Sequence, residues 1–195
     1  MFQGPDSDVG RTGREAGMTH PAILSLLQVI TPPLSGGDVV DWNALTRAGE
    51  PELPTDYKDF VATYGGGEID EYFSVSTPPV FGSPYGDLLN GVSSAVSVED
   101  HDELAGQLTA SSVPQLMPFG ATASGDVTFW LRDGQPDDWQ VAVFRRQVSY
   151  GASRWVVFDG GMVEFCLAVV TGVLDPFSER FVADEPHTFT GWMGH

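Results

Sequence analysis

The sequence predicts an α+β domain, with a mostly antiparallel sheet of about four to six strands flanked by helices packed on one side. Two observations predict it. Four apolar, aromatic-rich runs at residues 116–122, 127–132, 139–146 and 155–158 follow one another across turn-rich links. Helical patterns stand before and after those runs rather than alternating with them, which separates the chain from a parallel βαβ fold.

The elements follow in order. Residues 1–18 read as an unstructured segment, and Met1-Phe2-Gln3-Gly4-Pro5 resembles the scar of a protease-cleavable expression tag, with Met18 nearer a native start. Residues 19–195 then form the single domain. Thr19 is placed to cap a helix with Pro21 in its first turn, and Pro32-Pro33 ends it. Residues 41–47 make one more helical turn. Leu53-Pro54-Thr55-Asp56-Tyr57 opens the clearest helix. Its Tyr57, Phe60, Val61 and Tyr64 fall at i, i+3, i+4 and i+7 and line one face, and Gly65-Gly66-Gly67 supplies the positive φ of its end. Ile69, Tyr72, Phe73 and Val75 mark one strand running to Thr77, and 79–91 is a Gly- and Pro-rich loop. Residues 92–110 are ambiguous, with Ser97 to Leu104 able to open a helix whose first turn is acidic. The strand runs are joined by Ala123-Ser124-Gly125-Asp126 and by 133–138, both with turn chemistry. An apolar helix spans 162–173. The tail from 175 shows no period, and no internal repeat occurs.

Three of these blocks together resemble the SUKH superfamily, which holds the Smi/Knr-type regulators and many bacterial immunity proteins. The first is Leu53-Pro54, the short aromatic helix to Tyr64, and Gly65-Gly66. The second is Gly120 to Gly125-Asp126, a hairpin followed by the aromatic strand with Trp130. The third is Trp155-Val156-Val157-Phe158, a turn, and a helix holding Glu164-Phe165. The stretch from Phe73 to Leu116 matches no family block. The resemblance implies a binding protein of polymorphic toxin systems rather than an enzyme. Such a protein is encoded beside a toxin and protects the producing cell by binding the toxin's catalytic domain. It also implies structural roles for Leu53, Pro54, Tyr64, Gly65, Gly66, Gly120, Gly125, Asp126 and Trp130.

Charge is the second strong feature. Twenty-seven Asp and Glu stand against nine Lys and Arg among 195 residues, a net charge of −18 and a pI near 4.2. Nucleic acids and anionic membranes are bound by Lys and Arg, so this balance excludes both as partners. It favours a basic protein, and it equally serves solubility. The single cysteine, Cys166, allows no intrachain disulfide and reads as a small core residue, in keeping with a cytoplasmic protein. No apolar run is long enough for a transmembrane helix.

A search for chemistry finds no catalytic set. His20, His101, His187 and His195 are scattered and read as surface or tail histidines, with no paired metal-ligand spacing. Gly65-Gly66-Gly67 ends a helix instead of opening one and is no phosphate loop; no Gly-x-Ser-x-Gly elbow occurs. Phe129, Trp130, Trp139 and Phe144 read as core on a sheet or, for some, as partner anchors. The acidic run Glu99-Asp100-His101-Asp102-Glu103 lacks the glycine of a calcium loop and reads as a solvated helix start. Three functional expectations follow. The first is an immunity protein that neutralises a cognate toxin, such as a nuclease, through carboxylates at Glu68, Asp70, Glu71, Glu99, Asp100, Asp102 and Glu103, with no cofactor. The second is a regulatory or scaffold module without a toxin. The third is a metal-dependent hydrolase using the 99–103 run. Asp126 is expected to bond its own hairpin's amides. The sequence leaves the oligomeric state open.

Overall fold

The computed structural model describes residues 19–80, 88, 96–109, 112–179, 181 and 186–193. The N-terminal segment 1–18, nearly all of the 81–95 stretch and His195 lie outside the described residues. Among the described residues, five helices and seven strands run in the order α1 (Pro21–Leu26), α2 (Trp42–Arg47), α3 (Thr55–Thr63), β1 (Gly67–Ile69), β2 (Phe73–Val75), α4 (Val98–Leu108), β3 (Gln115–Thr122), β4 (Val127–Arg132), β5 (Gln140–Phe144), β6 (Trp155–Phe158), α5 (Met162–Val170) and β7 (Phe189–Gly191). A 3-10 turn, Pro136–Asp138, precedes β5. All the strands join one antiparallel sheet in the order β6-β5-β4-β3-β2-β1-β7.

The α+β class holds, with more strands than expected. The extra strands have two sources. The single strand expected from Ile69 to Val75 is a hairpin, because Asp70 and Glu71 both take positive φ, 51° and 54°, and Tyr72 N–H donates to Ile69 C=O at 3.0 Å across a two-residue turn. The aperiodic tail supplies β7, which a three-residue strand is too short to announce by alternation. Three helix ends also differ. His20, not Thr19, caps α1, its Nδ1 accepting from Ala22 N–H at 3.4 Å, and α1 stops at Leu26, well before Pro32-Pro33. Pro54 precedes α3 as its N-cap instead of sitting in the first turn.

Helices cover both faces of the sheet, not one. On the first face, Ile23 and Leu26 of α1, the Tyr57-Phe60-Val61 side of α3, and Phe165 of α5 pack over Phe73, Phe119, Trp130, Val141 and Val143. Trp130 sits at the centre, fully buried, with Tyr57 edge-on at 4.9 Å and Phe119 at 4.7 Å between centroids. On the second face, Leu104 of α4 packs over Phe129, Leu131, Ala142, Phe144 and Trp155. A strand buried on both faces reads as a continuous apolar run, which is why β4 and β5 are so plain in the sequence. The aromatics Phe129, Trp130, Trp139 and Phe144 are all core.

Both sheet edges are blunted. Arg145 N–H donates to Arg154 C=O at 2.8 Å, so the backbone N–H and C=O of alternate residues of β6, Trp155 among them, point away from β5. The Ser153 hydroxyl accepts from that Trp155 N–H at 3.0 Å. At the other edge Ile30 bridges to His187, and Pro33, which has no N–H to offer, lies against Gly191.

Gly67 has no room for a side chain, because a Cβ there would lie 2.3 Å from Thr190 C=O on β7. Gly106, within α4, faces open space. Gly67→Ala should therefore lower unfolding free energy by about 1–3 kcal/mol. Gly106→Ala should raise it by about 0.5–1 kcal/mol through helix propensity. Denaturant titration of the two variants checks the pair.

Candidate functional site

The carboxylates singled out in the sequence fall in two places that the fold keeps apart. Glu68, Asp70 and Glu71 lie on β1 and its turn. Glu99 to Glu103 lie on α4, which packs over β4, β5 and β6. Strands β2 and β3 intervene.

The first group is built by the signature helix. Gly65, at φ +78°, turns the chain out of α3. Gly66 N–H then donates to the buried Asp38 carboxylate at 2.9 Å, which holds the entry to β1. Pairing places Glu68 in one cross-sheet row with Ser74 and Thr190, on the face opposite α3. Asp70 is engaged within the fold. One oxygen meets His187 Nδ1 at 2.9 Å, and the other accepts from Thr188 N–H at 2.7 Å. Glu71 is exposed. His187 is correspondingly no surface histidine: it is buried, with Phe181 stacked on its ring.

The second group divides by helical position. Ser97 and Asp100 form a capping box, each side chain taking the other's backbone N–H, at 3.2 and 3.1 Å. Asp100 C=O also accepts from Trp155 Nε1 at 2.7 Å, and Arg154 Nε lies 3.8 Å from its carboxylate. Glu103 accepts from Arg154 N–H at 3.0 Å and from the Ser153 hydroxyl. Glu99 and Asp102, three residues apart on one helix face, remain exposed. The run is thus half docking surface and half solvated face. Among the described residues, no group of three or more His, Cys, Asp or Glu is placed to hold a metal ion.

Several of the residues that carry the SUKH resemblance lie in the core or in close backbone contacts. Leu53, Tyr64 and Trp130 are buried, and Tyr64 donates to Ile30 C=O at 2.9 Å. A Cβ on Gly120 would lie 2.3 Å from Ser74 C=O. Asp126 departs from the expectation. It is fully buried and bonds beyond its own hairpin, accepting from Arg146 N–H at 2.8 Å and from Ser178 N–H at 2.6 Å. It ties the β3–β4 turn to two distant segments.

Two clefts were missed by sequence reasoning. One, of about 440 Å³, is lined by Leu108, Leu131, Asp133, Asp138 and Asp159, with Gln140 donating to Asp159 at 2.8 Å. The 133–138 stretch reads as turn chemistry alone, and nothing local brings Asp159 beside it. The other, of about 350 Å³, is lined by His20, Thr55, Asp56, Asp137, Gly161 and Glu164. There the buried Asp56 accepts from Val163 N–H at 3.0 Å and joins the start of α5 to α3. Asp137 accepts from Thr55 N–H at 2.5 Å, at the start of α3. A carboxylate in a first helical turn gives no sign that its partner lies so far along the chain.

Burial shapes the titration of the interior groups. It pushes the Cys166 thiol up, as fits an inert core residue, and lifts Tyr64 to about 12. It also raises Asp56 above its ordinary value of 3.8, against the lowering effect of the Val163 and Tyr57 N–H groups. No family model matches the chain, and no curated protein and no solved structure matches it either.

For Asp56 the sign follows directly. The folded state holds this proton to higher pH than the unfolded state does. Its contribution to stability is greatest below pH 3.8 and falls as pH rises through the higher folded value. Asp56→Asn should flatten that part of the stability–pH curve and should cost about 1–3 kcal/mol near neutrality, because Asn offers one acceptor to two N–H groups. Chemical denaturation across pH 3 to 7, about the range of carboxyl titration, reads both effects.

Proposed function

We propose that this chain is a SUKH-type immunity protein, a non-catalytic binder that acts in the cytoplasm of the producing cell and neutralises a cognate bacterial toxin. It binds a basic face of the toxin through carboxylates that its own fold leaves free. The single observation that carries the reading is how the acidic residues divide. Asp38, Asp56, Asp70, Asp100, Glu103 and Asp126 accept backbone N–H groups inside the fold. Glu71, Glu99, Asp102, Asp133 and Asp138 are exposed. Arg47, Lys58 and Arg154 already lie 3.6, 3.4 and 3.8 Å from carboxylates, so they do little to offset the exposed set.

An uncompensated anionic surface speeds capture of a cation-rich partner and rejects acidic ones. If the toxin is a nuclease, its phosphate-binding cleft is the complementary surface, and the carboxylates stand where phosphates would. The ordered SUKH-like blocks support the same class of role. No helix of the described residues is long and apolar enough to cross a membrane.

The test is co-expression and co-purification with the toxin domain encoded beside this gene. The reading expects a one-to-one complex and protection of the host cell. It expects an association rate that drops by on the order of tenfold between low and high salt. Glu99→Gln with Asp102→Gln should slow association and leave dissociation nearly unchanged. A toxin that neither binds nor is neutralised sinks the proposal, and salt-independent association sinks the steering mechanism.

A further inference from the structure

We infer that the C-terminal strap, residues 186–193, is a separable unit latched by Asp70, which opens while the β3–β6 half of the sheet stays folded. The strap joins the sheet through three paired positions on β1, against six between β3 and β4 and five between β4 and β5. One of the three is Gly67 opposite Gly191, where neither residue has a side chain to pack. The strap is pinned mainly at its ends. At one end Asp70 takes the His187 ring and Thr188 N–H, and Asp70 N–H donates to Thr188 C=O at 3.0 Å. At the other, Trp192 N–H donates to Gly66 C=O at 2.9 Å.

The latch works against a backbone preference. Asp70 and Glu71 both hold positive φ without being glycine, a conformation that surrounding contacts must maintain. The same two residues close the β1–β2 hairpin, so losing the strap leaves this turn with fewer contacts to hold it, whereas among the described residues β4 and β5 contain no non-glycine residue at positive φ. Phe189, packed on Phe60 at 5.8 Å and Tyr64 at 5.3 Å, is the main apolar contact that opposes release. Opening bares the N–H and C=O groups of β1 beside Glu68, an edge able to pair with another strand. The strap is therefore a cover whose removal changes the surface around the first carboxylate group.

Hydrogen exchange on the intact chain tests this at the level of single amides. In the native protein, the amides of Thr188 and Trp192 should exchange at least about tenfold faster than those of β4, as expected for sub-global opening. Asp70→Gly removes the latch and the strain at that position together, so the fold is retained. It should speed Thr188 and Trp192 by about tenfold more and leave the β4 amides nearly unmoved. A single common rate for strap and β4 amides overturns the inference. So does an Asp70→Gly variant whose strap exchanges as slowly as before, or one in which every amide accelerates alike.

Discussion

The interaction on which the rest of this structure depends is the carboxylate-to-backbone hydrogen bond. A chain with 27 acidic and nine basic residues cannot neutralise its carboxylates by ion pairs. Those that enter the fold are satisfied instead by N–H groups, and the bonds join segments far apart in sequence. Asp38 fixes the turn after α3, Asp56 joins α3 to α5, Asp70 holds β7, and Asp126 gathers the loop after β5 and the segment after α5. A bond to an ionised acceptor is about twice as strong as a neutral one, so each of these is an effective fastener. Each also leaves a costly orphan if the carboxylate is removed.

Around these fasteners the core is assembled by apolar packing. Trp130, at the centre of the sheet, is held between α3 and β3 by Tyr57 and Phe119. The Tyr57 hydroxyl escapes isolation by donating to Ser76 C=O at 2.7 Å. The helices on one face and α4 on the other allow β4 and β5 to be apolar throughout. The short β1, β2 and β7 lie beyond α4's reach, and their second face carries Glu68, Ser74 and Thr190 instead. The polar half of the sheet and the acidic turn are thus consequences of where α4 sits.

Much of this was legible in the chain. Helix α3 was readable because its caps and apolar spacing coincide, and β4 because both of its faces are buried. The limits of β4 agree with the pattern to the residue, and those of α2 to within one. What could not be read were features fixed by tertiary contact. Two acidic residues in left-handed conformation make a hairpin of 67–75, although Glu71 is not a favoured residue for that turn. Strand β7 exists because Gly67 permits close approach and Asp70 receives Thr188. Of the candidate site, local pattern identified the acidic groups but not their direction. Asp100 and Glu103 turn inward to dock α4 on the β5–β6 connection, while Glu99 and Asp102 turn outward, and only the position of Trp155 and Ser153 decides which. The Asp133, Asp138 and Asp159 cleft joins ends of different strands, so no window of sequence contains it.

The central claim is that carboxylates accepting backbone N–H groups fasten the fold, the buried Asp126 above all, while others such as Asp133 and Asp138 stand free at its surface. It is tested most directly by comparing the unfolding free energies of two charge-neutral variants. Asp126→Asn keeps size and shape but weakens the buried acceptor of Arg146 N–H and of the Ser178 N–H and hydroxyl, and should lose about 1.5–3 kcal/mol. A chain carrying Asp133→Asn and Asp138→Asn together should stay within about 0.5 kcal/mol of the parent, as exposed substitutions do. Equal losses in the two variants, or a larger loss in the surface variant, would contradict the division.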